Sequence, residues 1–161
     1  MPNILRVLLL LAYVPVVWTA ENVSKKMPID QQQAIERAIV DVHGKMKQAA
    51  ERRDVETLYG YVLEMDKGAI IEGGRIQWTR QEALNSTRQG FQGLKDLSYT
   101  YTRKHVTAIS TTVALWVGEG TSSATLEDGR QISAPFAETI VFVQQGGQWK
   151  VLHAHRSAPC R

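Results

Sequence analysis

The chain has little cysteine and no concentration of charge of one sign. Its single thiol, Cys160, stands at the penultimate of 161 positions. That excludes an internal disulfide framework and a cysteine-rich zinc site, since both need several thiols. Lys and Arg number 19 against 16 Asp and Glu, a formal net charge of +3. The bases are scattered among the acids and form no stripe that could follow a phosphate backbone, so nucleic-acid binding is not expected. Internal repeats and low-complexity segments are missing as well. What is present, 43% apolar and 22% charged residues, describes a folded rather than a disordered chain. The length suits one domain.

Long apolar runs are missing except at the start. One positive charge in residues 1–6 precedes a nearly unbroken apolar run over residues 7–17, and Thr19-Ala20 stands before the polar Glu21-Asn22. This is the layout of a secretory signal peptide, assigned to residues 1–20. The run is short for a permanent bilayer span. Trp18 occupies a position, three before a cut after Ala20, where a small residue is preferred. An uncleaved leader is therefore the alternative, and it would be the one route to a membrane. No cysteine follows the leader, which argues against a lipid anchor. The expected location is exported, periplasmic or secreted. From Glu21 onward the chain carries 18 bases against 16 acids, a net +2.

Residues 21–30 are polar and read as a linker, residues 31–158 as the domain, and residues 159–161 as a tail. Over residues 31–53 the apolar positions Ile35, Ala38, Ile39, Val42, Met46, Ala49 and Ala50 recur at helical spacing, which predicts an amphipathic helix. Asp54 is placed to cap a second helix, with Val55, Leu58, Tyr59, Val62 and Leu63 on one face and an end near residues 66–68. Two short strands, residues 69–71 and 75–78, are expected around the turn Gly73-Gly74. Thr79 and Glu82 fit a capping box opening a third helix to about Phe91. Beyond Leu94 the period becomes twofold, over residues 97–109, 112–125, 132–143 and 148–155, with turn residues between the last three. Three helices followed by a curved antiparallel meander make an α+β layout, with helices on one face of the sheet.

The most specific stretch is the last hairpin. Glu138-Thr139-Ile140-Val141-Phe142-Val143 is followed by a turn and then by Trp149-Lys150-Val151-Leu152-His153-Ala154-His155-Arg156-Ser157. It resembles the final hairpin of SnoaL-like domains, members of the nuclear transport factor 2-like superfamily that also includes ketosteroid isomerase. The His-Ala-His-Arg-Ser ending is similar to the association domain of calcium/calmodulin-dependent kinase II. The resemblance implies a cone-shaped fold with three helices closing over a strongly curved, mainly antiparallel sheet. It also implies a pocket between the layers and a homodimer formed through the outer sheet face. Isomerases, cyclases, dehydratases, hydrolases and binding or assembly modules share this fold, so the fold does not select the function.

The resemblance also implies that Arg156 faces the pocket. A guanidinium there offers a fork to a carboxylate, which points to a small organic ligand with an acidic group. The alternative is internal pairing with Glu138 on the neighbouring strand. Relatives that bind anions carry further arginines at positions matching Gly118 and Ile140, a departure that weakens a strongly anionic ligand. Trp116, with Gly118 and Gly120 on its face, could form an aromatic wall beside open space. Tyr59 and Trp78 are further wall residues, unless these aromatics are simply core.

An isomerase-type enzyme would need a carboxylate base, for which Asp66 and Glu138 are the weak options and Glu72 is also available. A third possibility is an oligomerisation module with a vestigial pocket. His153 and His155, with His105 near, invite a metal reading, but His43 lies on a helix and points elsewhere, and the resemblance puts the face of His153 and His155 away from the pocket, in the interface. No metal and no cofactor is expected. Cys160 is either a reduced tail thiol or a link to a second chain.

Overall fold

The computed structural model describes residues 27–64 and 70–158. The leader (1–20), Asp66 and Cys160 lie outside the described residues. Helix α1 spans Ile29–Glu51, so its first turn takes in the last two residues of the expected linker. Its apolar stripe is buried through Ile35, Ile39, Ala49 and Ala50, and His43 is buried with them.

Helix α2, Val55–Tyr59, is capped by the Asp54 carboxylate, which accepts from the Thr57 amide at 3.0 Å. It is only five residues long, where the apolar spacing predicted a helix reaching residue 66. Gly60 closes it, and the following backbone turns into a ladder. The Val151 amide donates to Tyr61 O at 2.7 Å, and the Leu63 amide donates to Val151 O at 3.0 Å. Sheet bonds thus replace the helical ones these groups would otherwise make. Gly60, a poor helix former, is the weak point at which the exchange occurs.

Strands β1 (Ile70–Glu72) and β2 (Arg75–Gln77) form a hairpin whose two loop residues, Gly73 and Gly74, have φ of 59° and 73°. Only a left-handed pair gives so tight a turn, which is why glycine occupies both places. Helix α3, Arg80–Gly90, starts at Thr79, whose hydroxyl accepts from the Glu82 amide at 3.1 Å. The Glu82 carboxylate reaches back to the Trp78 amide at 2.8 Å, one residue before the cap.

Four long strands follow: β3 Leu94–Ala108, β4 Val113–Leu126, β5 Gln131–Gln145 and β6 Gln148–Ser157. The sheet order is β2-β1-β6-β5-β4-β3. β1 runs parallel to β6, and every other pair is antiparallel.

Helix α1 crosses the sheet and packs Ile35 and Ile39 against Val106, Trp116, Phe142 and Val151. Each such side chain contributes about 1.5–3 kcal/mol relative to exposure. A second cluster of Val55, Tyr59, Ala83 and Leu84 joins α2 to α3. A cavity opens between the helices and the inner face of the sheet, lined by residues of α1, α2, α3 and the strands.

Strict alternation along β6 would separate Trp149 and Val151 from Arg156. The register between β5 and β6 slips where Val141 faces His153 and Phe142 faces Val151, so that Leu152 is left out as a bulge. The extra residue reverses the faces. Trp149 and Val151 therefore share the inner face with Ala154 and Arg156, and all four pack toward the core or the cavity.

Candidate functional site

Glu138 on β5 lies in register with Arg156 on β6 and with Gly118 on β4. The three positions form a row across the inner face, with the acid in the middle. Glu138 is 6% exposed and Arg156 lies part-way to the surface of the cavity. Arg156 Nη2 donates to Glu138 Oε2 at 2.8 Å.

The other oxygen, Oε1, is crowded with donors. Tyr101 Oη donates to it at 2.6 Å, Trp116 Nε1 at 3.0 Å, and His43 Nε2 lies at 3.0 Å. Tyr101 has spent its single proton on the carboxylate, so its oxygen, 3.1 Å from His43 Nε2, can only accept. Both neighbours of His43 Nε2 are acceptors, so this nitrogen carries a hydrogen. In the neutral ring Nδ1 then holds the lone pair.

Four donors on one carboxylate decide its protonation. Burial pushes Glu138 up, but the His43 bond, the Arg156 charge and the Tyr101 and Arg156 bonds outweigh it. They hold the carboxyl at about 2, against an ordinary value of 4.5. The same pair holds Arg156 charged. Burial works against the guanidinium, yet Tyr99, Glu138 and Glu72 together raise its pKa. Burial, and next the charge of Glu138, push the Tyr101 phenol up, so it stays a donor.

Glycine makes room for this cluster. A Cβ on Gly118 would stand 3.0 Å from both Trp116 Nε1 and Tyr101 Cε1, and one on Gly120 would stand 2.1 Å from Thr100 O. The space expected beside Trp116 is therefore filled by the Tyr101 ring and the β3 backbone. Trp116 itself is 1% exposed and stacks on His43 with ring centroids 3.7 Å apart. It lies behind Glu138 rather than along the cavity wall, and its work there is to position the acid.

On its far side Arg156 is less fully engaged. Among the described residues Nη1 reaches only long contacts, Tyr99 Oη at 3.4 Å and Glu72 Oε1 at 3.6 Å, and Nε is buried without a hydrogen-bond partner. The guanidinium lies over the rings of Tyr99 and Phe136, 4.9 and 5.2 Å from their centroids, which fixes its plane. Glu72 is half-exposed, and its contact with Arg156 is the loosest of the set.

These groups line one end of a cavity of about 610 Å³, whose walls include Met46, Leu58, Ile70, Phe91 and Leu97. Its size and its few convergent polar groups suit a small organic molecule. Tyr59 lines it too, with its hydroxyl 2.7 Å from Thr87 Oγ1 and its pKa raised by burial. Trp78, expected as a wall residue, is 57% exposed and stands outside the lining. The capping turn before α3 turns its side chain to the surface. Ile140 closes the cavity floor as an apolar residue.

His43 points away from His105 and His155, as its place on the helix suggested, and is a central member of this inner-face site. The signal was present: His43 stands four residues after Ile39 and three before Met46, within the buried stripe of α1. Tyr99 and Tyr101 were missed as well, although they alternate correctly along β3 to reach the inner face. His105 and His155 lie on the outer face with Val117 and Thr139, around a shallow depression of about 330 Å³. Among the described residues no three His, Cys, Asp or Glu side chains gather as a metal set.

A family model described as a SnoaL-like domain matches residues 39–161. No curated protein matches the chain. Solved structures with the same fold include a Streptomyces avermitilis protein described as a dehydratase of the nuclear transport factor 2-like family. It is 19% identical, with 80% of this chain and 99% of that one covered and a TM-score of 0.71. The association domain of C. elegans calcium/calmodulin-dependent kinase II is 21% identical over 80% and 98% of the two chains, with a TM-score of 0.64. The hexachlorocyclohexane dehydrochlorinase of Novosphingobium barchaimii is 16% identical over 80% and 88%, with a TM-score of 0.65.

Proposed function

The chain belongs to the SnoaL-like family, and on that premise we propose that its cavity binds a small organic molecule through an acidic group, with Arg156 as the anchor. The observation that carries this is the division of labour on one guanidinium. Nη2 is fixed by Glu138 at 2.8 Å, while among the described residues Nη1 has only Tyr99 at 3.4 Å and Glu72 at 3.6 Å. An incoming carboxylate oxygen takes a short charge-assisted bond from Nη1 and a second bond from the Tyr99 hydroxyl, displacing the loosely held Glu72. Glu138 keeps Arg156 in place and charged throughout. The apolar walls take up the rest of the ligand.

A thermal-shift screen against small carboxylates and hydrophobic metabolites, repeated on Arg156→Gln, tests this. Carboxylate hits should lose at least tenfold in affinity, because a charge-assisted bond of about 1.5–3 kcal/mol is removed. Equal binding of every hit by the variant would remove Arg156 from the site.

A second reading, an enzyme of isomerase, dehydratase or cyclase type, is favoured by one feature: His43 in the cavity wall with its Nε2 fixed on a carboxylate. The base in that reading is His43 rather than Glu138. A carboxyl held at about 2 by four donors is a poor proton acceptor at neutral pH, whereas in the neutral tautomer with Nε2 protonated the histidine has a lone pair on Nδ1. The names of the dehydratase and dehydrochlorinase relatives are compatible with such chemistry. Hydrogen exchange at activated carbons of screened hits in D₂O, present in the wild-type protein and lost in His43→Gln, would establish it. Absence of exchange for every bound hit would leave the binding role alone.

The same proposal places the domain outside the cytoplasm, on the strength of the apolar run at residues 7–17, and in a homodimer formed through the outer sheet face. Half-exposed Val117 stands there among His105, Thr139 and His155. N-terminal sequencing of the exported protein should begin at Glu21, and recovery of the chain only from the cytoplasm would refute export.

A further inference from the structure

The row that joins Glu138 to Arg156 continues to the edge of the sheet. Arg156 lies in register with Glu72 on β1, and Glu72 with Arg75 on β2. Across β5, β6, β1 and β2 the inner face therefore presents Glu138, Arg156, Glu72 and Arg75, with the sign of the charge alternating at every step. All four residues line the cavity, whereas Ile76, the next residue of β2, is exposed and stands outside the lining.

Pairing along this row is uneven. Glu138 and Arg156 meet at 2.8 Å, but Arg156 and Glu72 only at 3.6 Å. The Arg75 side chain has no ion pair or hydrogen bond among the described residues. Lys47, another cation of the lining, is held by Glu51 at 2.8 Å. Glu72 thus stands between two guanidiniums, loosely on one and off the other. Arg75 is its direct cross-strand partner, since the two residues flank the Gly73-Gly74 turn. Side chains so placed have Cβ atoms about 4.5–5.5 Å apart, within reach of a glutamate and an arginine.

This arrangement bears on the arrival of an acid at Arg156 Nη1. A Glu72 carboxylate pushed off Arg156 without a new partner would stay beside the incoming carboxylate, two like charges facing one another. We propose that Arg75 is the positioning residue that receives the displaced Glu72, and that it thereby selects for ligands with a single acidic group. The inference rests on the Arg156 reading. Once Glu72 has crossed to Arg75, the hairpin forms a closed pair, and Arg156 is shared between Glu138 and the ligand. The row then has no cation left for a second acid, so a monocarboxylate is accepted and a dicarboxylate is disfavoured.

Titration calorimetry at low ionic strength tests this with phenylpropionate, with benzylsuccinate, which adds a carboxymethyl group to the same skeleton, and with the neutral phenylpropanol. The proteins are the wild type, Arg75→Gln, Glu72→Gln and the double variant, replacements of exposed and half-exposed side chains outside the packed clusters. Arg75→Gln should weaken phenylpropionate about threefold to fivefold, the upper range of a cross-strand ion pair. In the Glu72→Gln background the same replacement should leave the affinity within about 1.5-fold, because no displaced carboxylate needs a partner and the remaining distance is screened. Benzylsuccinate should bind more weakly than phenylpropionate to the wild type and gain on it in Glu72→Gln, where Arg75 is free. Phenylpropanol should be indifferent to all three variants. Wild-type affinity for phenylpropionate in Arg75→Gln overturns the proposal. So does an equal loss in both backgrounds, which would put Arg75 on the ligand itself, or an equal loss for phenylpropanol. These results leave Arg156 as the anchor. Phenylpropionate that fails to bind, or that binds Arg156→Gln as well as wild type, removes the anchor and the role of Arg75 together.

Discussion

Replacing Glu138 by Gln keeps the shape of the side chain and removes what the site is built on. Glutamine offers one acceptor oxygen and one NH₂ group. With the oxygen in the Oε1 position, the NH₂ faces Arg156 Nη2, donor against donor. With the oxygen at Oε2, it faces Tyr101, Trp116 and His43 instead, which donate to Glu138 Oε1 at 2.6–3.0 Å. Neither arrangement satisfies the cluster.

Two routes give the cost. Holding a carboxyl at about 2 rather than 4.5, at about 1.4 kcal/mol per tenfold, corresponds to roughly 3 kcal/mol. Breaking a buried ion pair by removing one partner costs about 3–5 kcal/mol. The pH dependence has a definite sign. The folded-state value is depressed, so the contribution is complete above the unfolded value near 4.5 and is lost as pH falls through about 2. Urea unfolding of the wild type and Glu138→Gln should therefore differ by about 3 kcal/mol near neutral pH. The difference should shrink steadily below about pH 4.5. A difference that stays constant down to about pH 2.5, or no difference at neutral pH, would refute the reasoning.

Other perturbations reach the same fold from other sides. Gly118→Ala puts a methyl 3.0 Å from Trp116 and Tyr101; it should cost about 1–3 kcal/mol and shift the tryptophan emission, and an unchanged spectrum and midpoint would contradict the packing. Thr79→Ala removes the hydroxyl that caps α3 and should cost about 1 kcal/mol, read as a drop of a few degrees in Tm. Sedimentation at micromolar concentration should show a dimer that Val117→Lys dissociates, and a wild-type monomer would remove the outer-face interface.

The order and type of the elements were legible in the sequence because they rest on local signals. The apolar stripe of α1, the Thr79 cap and the Gly-Gly turn at 73–74 are each set by residues within one turn of one another. The early end of α2 was not legible, because it depends on Tyr61 and Leu63 finding Val151, some ninety positions away, as a ladder partner. The face of β6 was not legible in its first half for a related reason. A bulge at Leu152 has no composition of its own, and it reverses every side chain before it. In the site, the pairing of Arg156 with Glu138 followed from alternation on adjacent strands. His43 escaped because it was weighed only as a partner for His105, His153 and His155, although its spacing from Ile39 and Met46 placed it in the core. The role of Trp116 depended on Gly118 and Gly120, whose missing side chains are filled by Tyr101 and by the β3 backbone rather than by a ligand.

The central claim is that Arg156 divides its guanidinium between Glu138 and a ligand acid. A crystal structure with a carboxylate hit bound tests it most directly. The account predicts an acid oxygen within about 3 Å of Arg156 Nη1 and close to Tyr99 Oη, with Glu72 displaced and the Arg156–Glu138 bond intact. A hit bound with its acid at the cavity mouth or against α3, and Arg156 still in contact with Glu72, would contradict it.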